Sequence, residues 1–534
     1  MTTKVLRSLQ VVKKSGSLQC VVCGSRRYST STNAESFSTN TSSNTSSTST
    51  NSTNTSSTST YSRKDAELFD IVVAGGGMAG FAMACSLGQS KVLSSLRVLV
   101  LEGGPHTDAS LEALSAAPHD NRVCAIAPPS VRLLDKLGVW HDICGVRTGP
   151  VKRMQVWDSE SDAMIAFGDG HRALAHIVEN RVTVAALRAR VPSSIEVRYG
   201  ARVQSFDLPP PATDGLPLLT LRDGGHIRAR LLVRGASVVR GASVVRGASV
   251  EHLEVWTVCR GGNTAARGTD SLPWWQHCSS RYGQSAVVAT LQLEREENES
   301  NITAWQKFLP NGPLAILPLR HGLSSLVWTT APGHAQALLA MDARSFADAI
   351  NSALWSNERA HSAPWLESLQ RRGTQLARDV GHLFSSATAA QVSSRLLPPP
   401  VVGVVEDSRA SFPLALNHAV HYTANRVVLV GDAAHRVHPL AGQGANLGFG
   451  DVAALTTALE TSLLLGETLG SASCLYEYER IRQRENLVML AAIDALQKLY
   501  SSTAPPLVLL RALGLAAVDA IAPIKEKIEA YVQR

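Results

Sequence analysis

The chain has 534 residues, 44% of them hydrophobic and 18% charged. That is a globular composition, long enough for more than one folded unit and unlike a low-complexity or fibrous chain. Eight of the 51 Lys and Arg residues but only one of the 44 Asp and Glu residues lie in the first 64 positions, which leaves 43 of each beyond them and no electrostatic case for nucleic acid as a partner.

Residues 1–64 carry Lys4, Arg7, Lys13, Lys14, Arg26, Arg27, Arg63 and Lys64 against Glu35 alone, followed by a Ser/Thr/Asn tract with little apolar surface to bury. This reads as a mitochondrial transit peptide with a disordered linker, and Arg27-Tyr28-Ser29 resembles a processing site. The Cys20/Cys23 pair lacks a βαβ context, and the other six cysteines have neither metal nor disulfide-framework spacing, which suits a reducing compartment. The sequon at Asn301-Ile302-Thr303 is then expected to stay unused.

Phe69 to Ala74 predicts a buried strand, Gly75-Gly76-Gly77-Met78-Ala79-Gly80 a tight turn, and the small residues after it a helix to about Gln89. Arg97 to Glu102 is the next strand. A GxGxxG between strand and helix, with Glu102 twenty-two residues beyond Gly80, is a strong dinucleotide signal. Gly75 and Gly77 allow close approach to a pyrophosphate, Gly80 allows helix packing, and Glu102 would hold the adenosine ribose hydroxyls. Arg122, by its residue type, is no more than a charged loop residue.

Further on, the hexamer VVRGAS recurs nearly three times over 233–250, as an insertion or as a fault in the coding sequence. Ala304 to Leu319 alternates turns with apolar strands, and Ser324 to Trp328 pairs beside them. Arg409 to Leu414 contains Phe412, Pro413 and Leu414, which read equally well as pocket lining or ordinary core.

Val427 to Val430 is a buried β-branched strand ended by Gly431-Asp432. Asp432, at the end of such a strand, is placed to accept hydrogen bonds from a ribose or polyol. Pro439 and the small-residue run Gly442-Gln443-Gly444-Ala445-Asn446 then open a helix whose exposed N–H groups form an anion site. His435 and His438 lack a third ligand nearby, so no metal is expected. Glu477 to Tyr500 is amphipathic, Pro505-Pro506 break it, and Leu507 to Ile521 is apolar but interrupted by Arg511 and Asp519. No apolar run reaches the roughly 20 residues of a spanning helix; a helix pair on a membrane surface and one packed on the core both fit.

GDAAHRVHPLAGQGANLGFGD, from Gly431 to Asp451, resembles the second flavin motif of the aromatic-ring hydroxylases, the single-component FAD monooxygenases. Asp120-Asn121-Arg122 with the helix from Ser130 to Trp140 resembles the next block of that family, and Leu174 to Asn180 its branch in ubiquinone biosynthesis. The resemblance implies an α/β fold: a Rossmann-like FAD-binding domain (65–150, 180–250 and 407–484) interleaved with a β-sheet substrate domain (151–179 and 251–406), then C-terminal helices (485–534). It implies that Asp432 binds the ribityl chain, that Arg122 approaches the flavin, that Pro439 and Gly442 to Asn446 lie against the isoalloxazine ring, and that Phe412-Pro413-Leu414 faces the substrate. The expected reaction is hydroxylation of a polyprenylated 4-hydroxybenzoate ring by FAD and O2, with no side-chain nucleophile and no assigned catalytic residue.

As partners the resemblance implies a ferredoxin and ferredoxin reductase as electron donor, the ubiquinone-biosynthesis complex, and a peripheral position on the matrix side of the mitochondrial inner membrane. The family's Gly-Ala-Asp-Gly motif after the strand at 229–233 is absent; the repeat puts Ser237, Ser243 or Ser249 where the Asp belongs, and 234–283 is discordant. Two alternatives therefore stay open, a flavin-free scaffold of that complex and a related small-phenol hydroxylase.

Overall fold

The computed structural model describes residues 66–107, 110–161, 163–210, 213–235, 277–294, 300–320, 322–355, 396–439, 442–502 and 504–520. The transit-peptide reading, Ser237 with its repeated copies, and most of the discordant stretch lie outside them.

Glu67–Ala74 is the centre of the first sheet, because its apolar half from Ile71 to Ala74 is buried on both faces. It pairs in parallel with Val98–Glu102 on one side and His226–Gly235 on the other. Val427–Val430 adds in parallel to His226–Gly235, and Glu196–Tyr199 to Val98–Glu102. Met78–Gln89, Asn180–Ala189 and Gly444–Leu464 cover one face, burying Ile71, Val73, Phe81, Val428, Phe449 and Leu455. An antiparallel flap of Val203–Asp207 and Leu218–Leu221 covers Val72, Leu99 and Leu232 on the other. All carboxyl ends of the parallel strands therefore point to one edge, where open α/β sheets bind ligands.

The second sheet is mostly antiparallel and runs His435–Arg436, Ala410–Ala419, His277–Leu293, Leu323–Thr330, Gly312–Pro318, Thr303–Leu309, Arg153–Asp158, Met164–Phe167. Helices Pro332–Ala340 and Ala343–Trp355 lie on it, packing Leu338 and Phe346 over Trp157, Trp305 and Trp328. A third, small sheet joins Val123–Ile126, Ala175–Glu179 and Gly149–Val151. The side-chain amide of Asn301, the sequon asparagine, donates to Leu323 O at 2.7 Å and Leu319 O at 3.2 Å.

Two expectations change. Ala410–Ala419 falls within the stretch 407–484 read as flavin domain, yet it hydrogen-bonds along His277–Leu293 in the second sheet. Phe412, Pro413 and Leu414 also do not form one wall, because successive strand residues point to opposite faces: Leu414 is buried on the face it shares with Phe412, and Pro413 is exposed on the other.

Of the C-terminal helices, Ala472–Tyr500 packs along Gly444–Leu464 with Cys474, Leu475 and Tyr478 in the first core, and its end at Tyr500 together with Pro505–Ala520 lies against the second sheet. Arg511 Nε meets Asp158 Oδ2 at 3.0 Å with both side chains 1% exposed, Arg511 also donates to the carbonyls of Leu499, Tyr500 and Ser502, and Tyr500 stacks on Phe308. No helix among the described residues is long and apolar enough to cross a membrane.

Candidate cofactor site

At the carboxyl end of Glu67–Ala74 the chain turns through Gly75, whose φ of +118° suits only glycine. Gly77 is the N-cap of Met78–Gln89, with no side-chain hydrogen bond capping the helix and no acidic residue in its first turn. A Cβ on Gly80 would sit 1.8 Å from Gly75 O, so the helix lies against its own entry turn as closely as a glycine permits. Glu102 closes this corner, accepting from Gly76 N at 2.9 Å and Gly104 N at 2.7 Å.

The second motif arrives at the same corner. Gly431 has φ +60°, and a Cβ there would lie 3.3 Å from the Ala79 methyl; Gly448, on helix Gly444–Leu464, adjoins both. Two motifs more than 350 residues apart in sequence thus meet through three small residues. Asp432 follows, half-buried in the turn Gly431–Ala433. Burial pushes its carboxyl up, opposed by the positive charge of His435, Arg436 and Arg122. The structure therefore brings Arg122, a loop residue in sequence, into the field of Asp432.

Gly442 has φ +61° and would put a Cβ 3.1 Å from the Ala125 methyl. Gln443 begins the helix Gly444–Leu464, again without a side-chain cap or an acid in the first turn. The side-chain amide of Asn446 donates to Ala125 O at 2.8 Å and accepts from Ala127 N at 2.9 Å. It clips the Val123–Ile126 strand onto the Gly442 to Ala445 turn, which leaves backbone N–H groups as the donors this helix end presents. Pro439 is half-buried beside them. Gly235, where the third motif should begin, ends its strand against Gly75 and Gly80 at the same edge.

Residue types alone did not reveal a buried network beneath this corner. Asp451, with no exposed surface, accepts from Gly431 N at 2.9 Å and His435 Nε2 at 2.5 Å on one oxygen, and from Arg482 Nε at 2.7 Å and Asn486 Nδ2 at 3.2 Å on the other. Burial pushes its carboxyl up, but His435 and Arg482 outweigh that and hold it below the usual range. A second buried pair, Arg147 with Glu179, fixes the loop ahead of Arg122: Glu179 accepts from Asp120 N at 2.8 Å, and Arg147 donates to the carbonyls of Ala117 and Pro118. The i, i+4 spacing of Arg482 and Asn486, two polar residues on the inner face of an amphipathic helix, was the available signal. Among the described residues no group of three or more His, Cys, Asp or Glu side chains could hold a metal.

His438 is fully buried, and burial pushes its imidazole down to about 4 from 6.5. Above the unfolded value both states are neutral; as pH falls below it the unfolded chain gains a proton that the folded chain refuses until about pH 4. At ~1.4 kcal/mol per pH unit, roughly 3 kcal/mol of stability is lost across that window. The urea midpoint should be lower at pH 5 than at pH 7, and His438→Asn should shrink that difference; an equal difference in the variant would contradict the assignment.

Residues 349–491 match the FAD binding domain family. Over 480 residues, 88% of this chain and 94% of the relative, the sequence is 43% identical to the mitochondrial ubiquinone biosynthesis monooxygenase COQ6 of Xenopus tropicalis. It is 42% identical to that of Homo sapiens over 475 residues, again 88% of this chain and 93% of the relative. The chain belongs to the ubiquinone biosynthesis monooxygenase family. It is an FAD-dependent monooxygenase, as expected from the two motifs, and its cofactor is FAD. The fold agrees with p-nitrophenol 4-monooxygenase from Pseudomonas putida (TM-score 0.55, 16% identity, 88% of this chain and 99% of that one). It also agrees with Klebsiella pneumoniae HpxO complexed with FAD and uric acid (TM-score 0.54, 16% identity, 87% and 96%). The residues fit the cofactor: two uncapped helix starts without acidic first turns suit a pyrophosphate and an electron-rich ring, and the glycine turns keep the space that a Cβ would fill.

Proposed function

We propose that this chain hydroxylates the aromatic ring of a polyprenylated 4-hydroxybenzoate-type intermediate of ubiquinone biosynthesis, in the mitochondrial matrix. The observation that carries the reading is the meeting of the Gly75–Gly80 turn with Gly431-Asp432 at the carboxyl edge of a parallel sheet, beside a second, apolar sheet. In this reading Gly75, Gly76, Gly77, Met78, Ala79 and Gly80 cradle the pyrophosphate, Glu102 takes the adenosine ribose, and Asp432 takes the ribityl hydroxyls with Arg122 beside it. Pro439, Gly442, Gln443, Gly444, Ala445 and Asn446 shape the ring site.

Bound and reduced, FAD would supply the two electrons that activate O2, one atom of which would enter the ring while the other leaves as water. The chain's own residues orient and dry the site: backbone N–H groups at the start of Gly444–Leu464 favour negative charge on the ring system, by roughly 0.3 to 2 kcal/mol, and the sheet face carrying Phe412 and Leu414 excludes water. Asp432→Ala in the full chain is expected to emerge without flavin, seen as loss of the visible absorption bands; full occupancy in that variant would refute the site.

Electrons are proposed to come from a ferredoxin and its reductase, since the sequence carries no second Gly-rich nucleotide motif. In anaerobic stopped-flow, reduced ferredoxin should bleach the flavin and NADPH alone should not. The membrane side is proposed to be the outer face of the C-terminal helices, where Leu487, Val488 (54% exposed), Leu496, Leu507 and Leu510 (59% exposed) are presented away from the sheet. Assembly with other ubiquinone-synthesis enzymes is part of the same reading. Flotation on vesicles of inner-membrane composition should drop when Val488 and Leu510 become Glu; unchanged flotation would remove this face from the proposal.

A further inference from the structure

Arg482 lies outside both glycine-rich motifs, 31 residues beyond Asp451, in a helix that otherwise packs as an amphipathic cover. Its guanidinium is nearly enclosed, and it holds three things at once. Nε donates to Asp451 Oδ1 at 2.7 Å, and Nη2 donates to Leu447 O at 3.1 Å and Asn486 Oδ1 at 2.9 Å. Nη1 pairs with Glu485 at the surface. The fit is tight enough to dictate sequence on the facing helix, since a Cβ on Gly450 would lie 2.7 Å from Arg482 Nη2.

What Arg482 holds are the two segments that shape the cofactor corner. Leu447 is in the first turn of Gly444–Leu464, whose N-terminus carries the exposed N–H groups. Asp451 passes the hold on to Gly431 N, the residue before Asp432, and to His435 behind it. The network also continues away from the corner. Asn486 Nδ2 donates to the Tyr422 hydroxyl at 3.2 Å, which meets His418 Nε2 at 3.0 Å on the strand that carries Phe412 and Leu414.

We propose that Arg482 is a positioning residue for the flavin: through Asp451 and the Leu447 carbonyl it sets the Gly431-Asp432 turn against the start of helix Gly444–Leu464. It touches no cofactor atom in this role. A planar fork with several fixed donors can hold a carboxylate and a carbonyl together, which an ammonium on a flexible stem cannot do with the same geometry. The inference rests on the reading of Asp432 as a flavin residue.

The test compares four full-chain variants for FAD dissociation constant, by flavin fluorescence titration well below each melting temperature, and for the melting temperature itself. Arg482→Met is expected to weaken FAD binding tenfold or more. Arg482→Lys should fall between it and the wild type, which makes the order of the three a rescue series. Arg511→Met, which breaks the Asp158 pair in the second sheet, should lower the melting temperature yet leave the FAD constant within twofold. Asp432→Ala should lose FAD. If Arg482→Met does not yield folded protein, Arg482→Lys decides alone, and an unchanged FAD constant in it overturns the proposal. Equal loss of melting temperature with unchanged FAD binding in Arg482→Met also overturns it, because the arginine would then be packing only. Tight FAD binding by Asp432→Ala would instead overturn the underlying reading of the site.

Discussion

Gly80→Ala is expected to abolish flavin binding and to lower stability, although alanine is the better helix former. In an exposed helix the exchange would gain up to about 1 kcal/mol. Here the new methyl would sit 1.8 Å from the Gly75 carbonyl oxygen and 2.9 Å from its carbon, inside any real contact distance. The helix would have to retreat by more than 1 Å, yet its neighbour Ala79 is already seated on Gly431 and Gly448, and Gly235 closes the remaining side. Overpacking of this kind costs roughly 1–3 kcal/mol, occasionally more, and it displaces the turn proposed to hold the pyrophosphate. Flavin content per polypeptide and the urea midpoint would check both effects. A variant with full flavin and an unmoved midpoint would mean that the turn can relax.

Asp451→Leu should be among the most destabilising single changes in the chain. It strips Arg482 and His435 of their buried acceptor and orphans Gly431 N, leaving the guanidinium only the surface carboxylate of Glu485 to offset its charge. Breaking a buried ion pair from one side costs about 3–5 kcal/mol, whereas removing both partners costs far less. The double variant Asp451→Leu/Arg482→Met should therefore be more stable than Asp451→Leu alone, with the difference read from urea midpoints as a coupling energy. A double variant less stable than the single one would show that the arginine earns its stability from carbonyls rather than from the carboxylate.

The parts of this site that could be read in advance are those whose chemistry is local. Gly75, Gly77 and Gly80 announce themselves by spacing between a strand and a helix, and Glu102 by its distance beyond them; all four stand at the expected corner. Residues whose partners are remote could not be read that way. Asp451 looked like the last letter of a motif, and Arg482 and Asn486 like ordinary polar positions on an amphipathic helix, because nothing in the intervening chain says that the helix folds back over Gly450. Asn446 reads in sequence only as part of the ring-site turn, and nothing local says that its side chain also clips a strand more than 300 residues upstream. Phe412-Pro413-Leu414 was taken as a unit although a strand must split it between two faces, and the sheet that strand joins is set by its pairing with His277–Leu293, residues that lie largely outside any recognisable motif.

The contact of Ala79 with Gly431 and Gly448 also dictates an order of events in the life of the molecule. During synthesis the first glycine turn emerges when most of its ring-site counterpart has not been made, and loop closure over such a span is slow. Even after Gly448 appears, the turn lacks its anchor until the helix bearing Arg482 and Asn486 has folded back. Flavin capture is thus expected to be a late step of maturation, and a chain cut short anywhere before residue 482 is expected to be released as a flavin-free product for proteolysis.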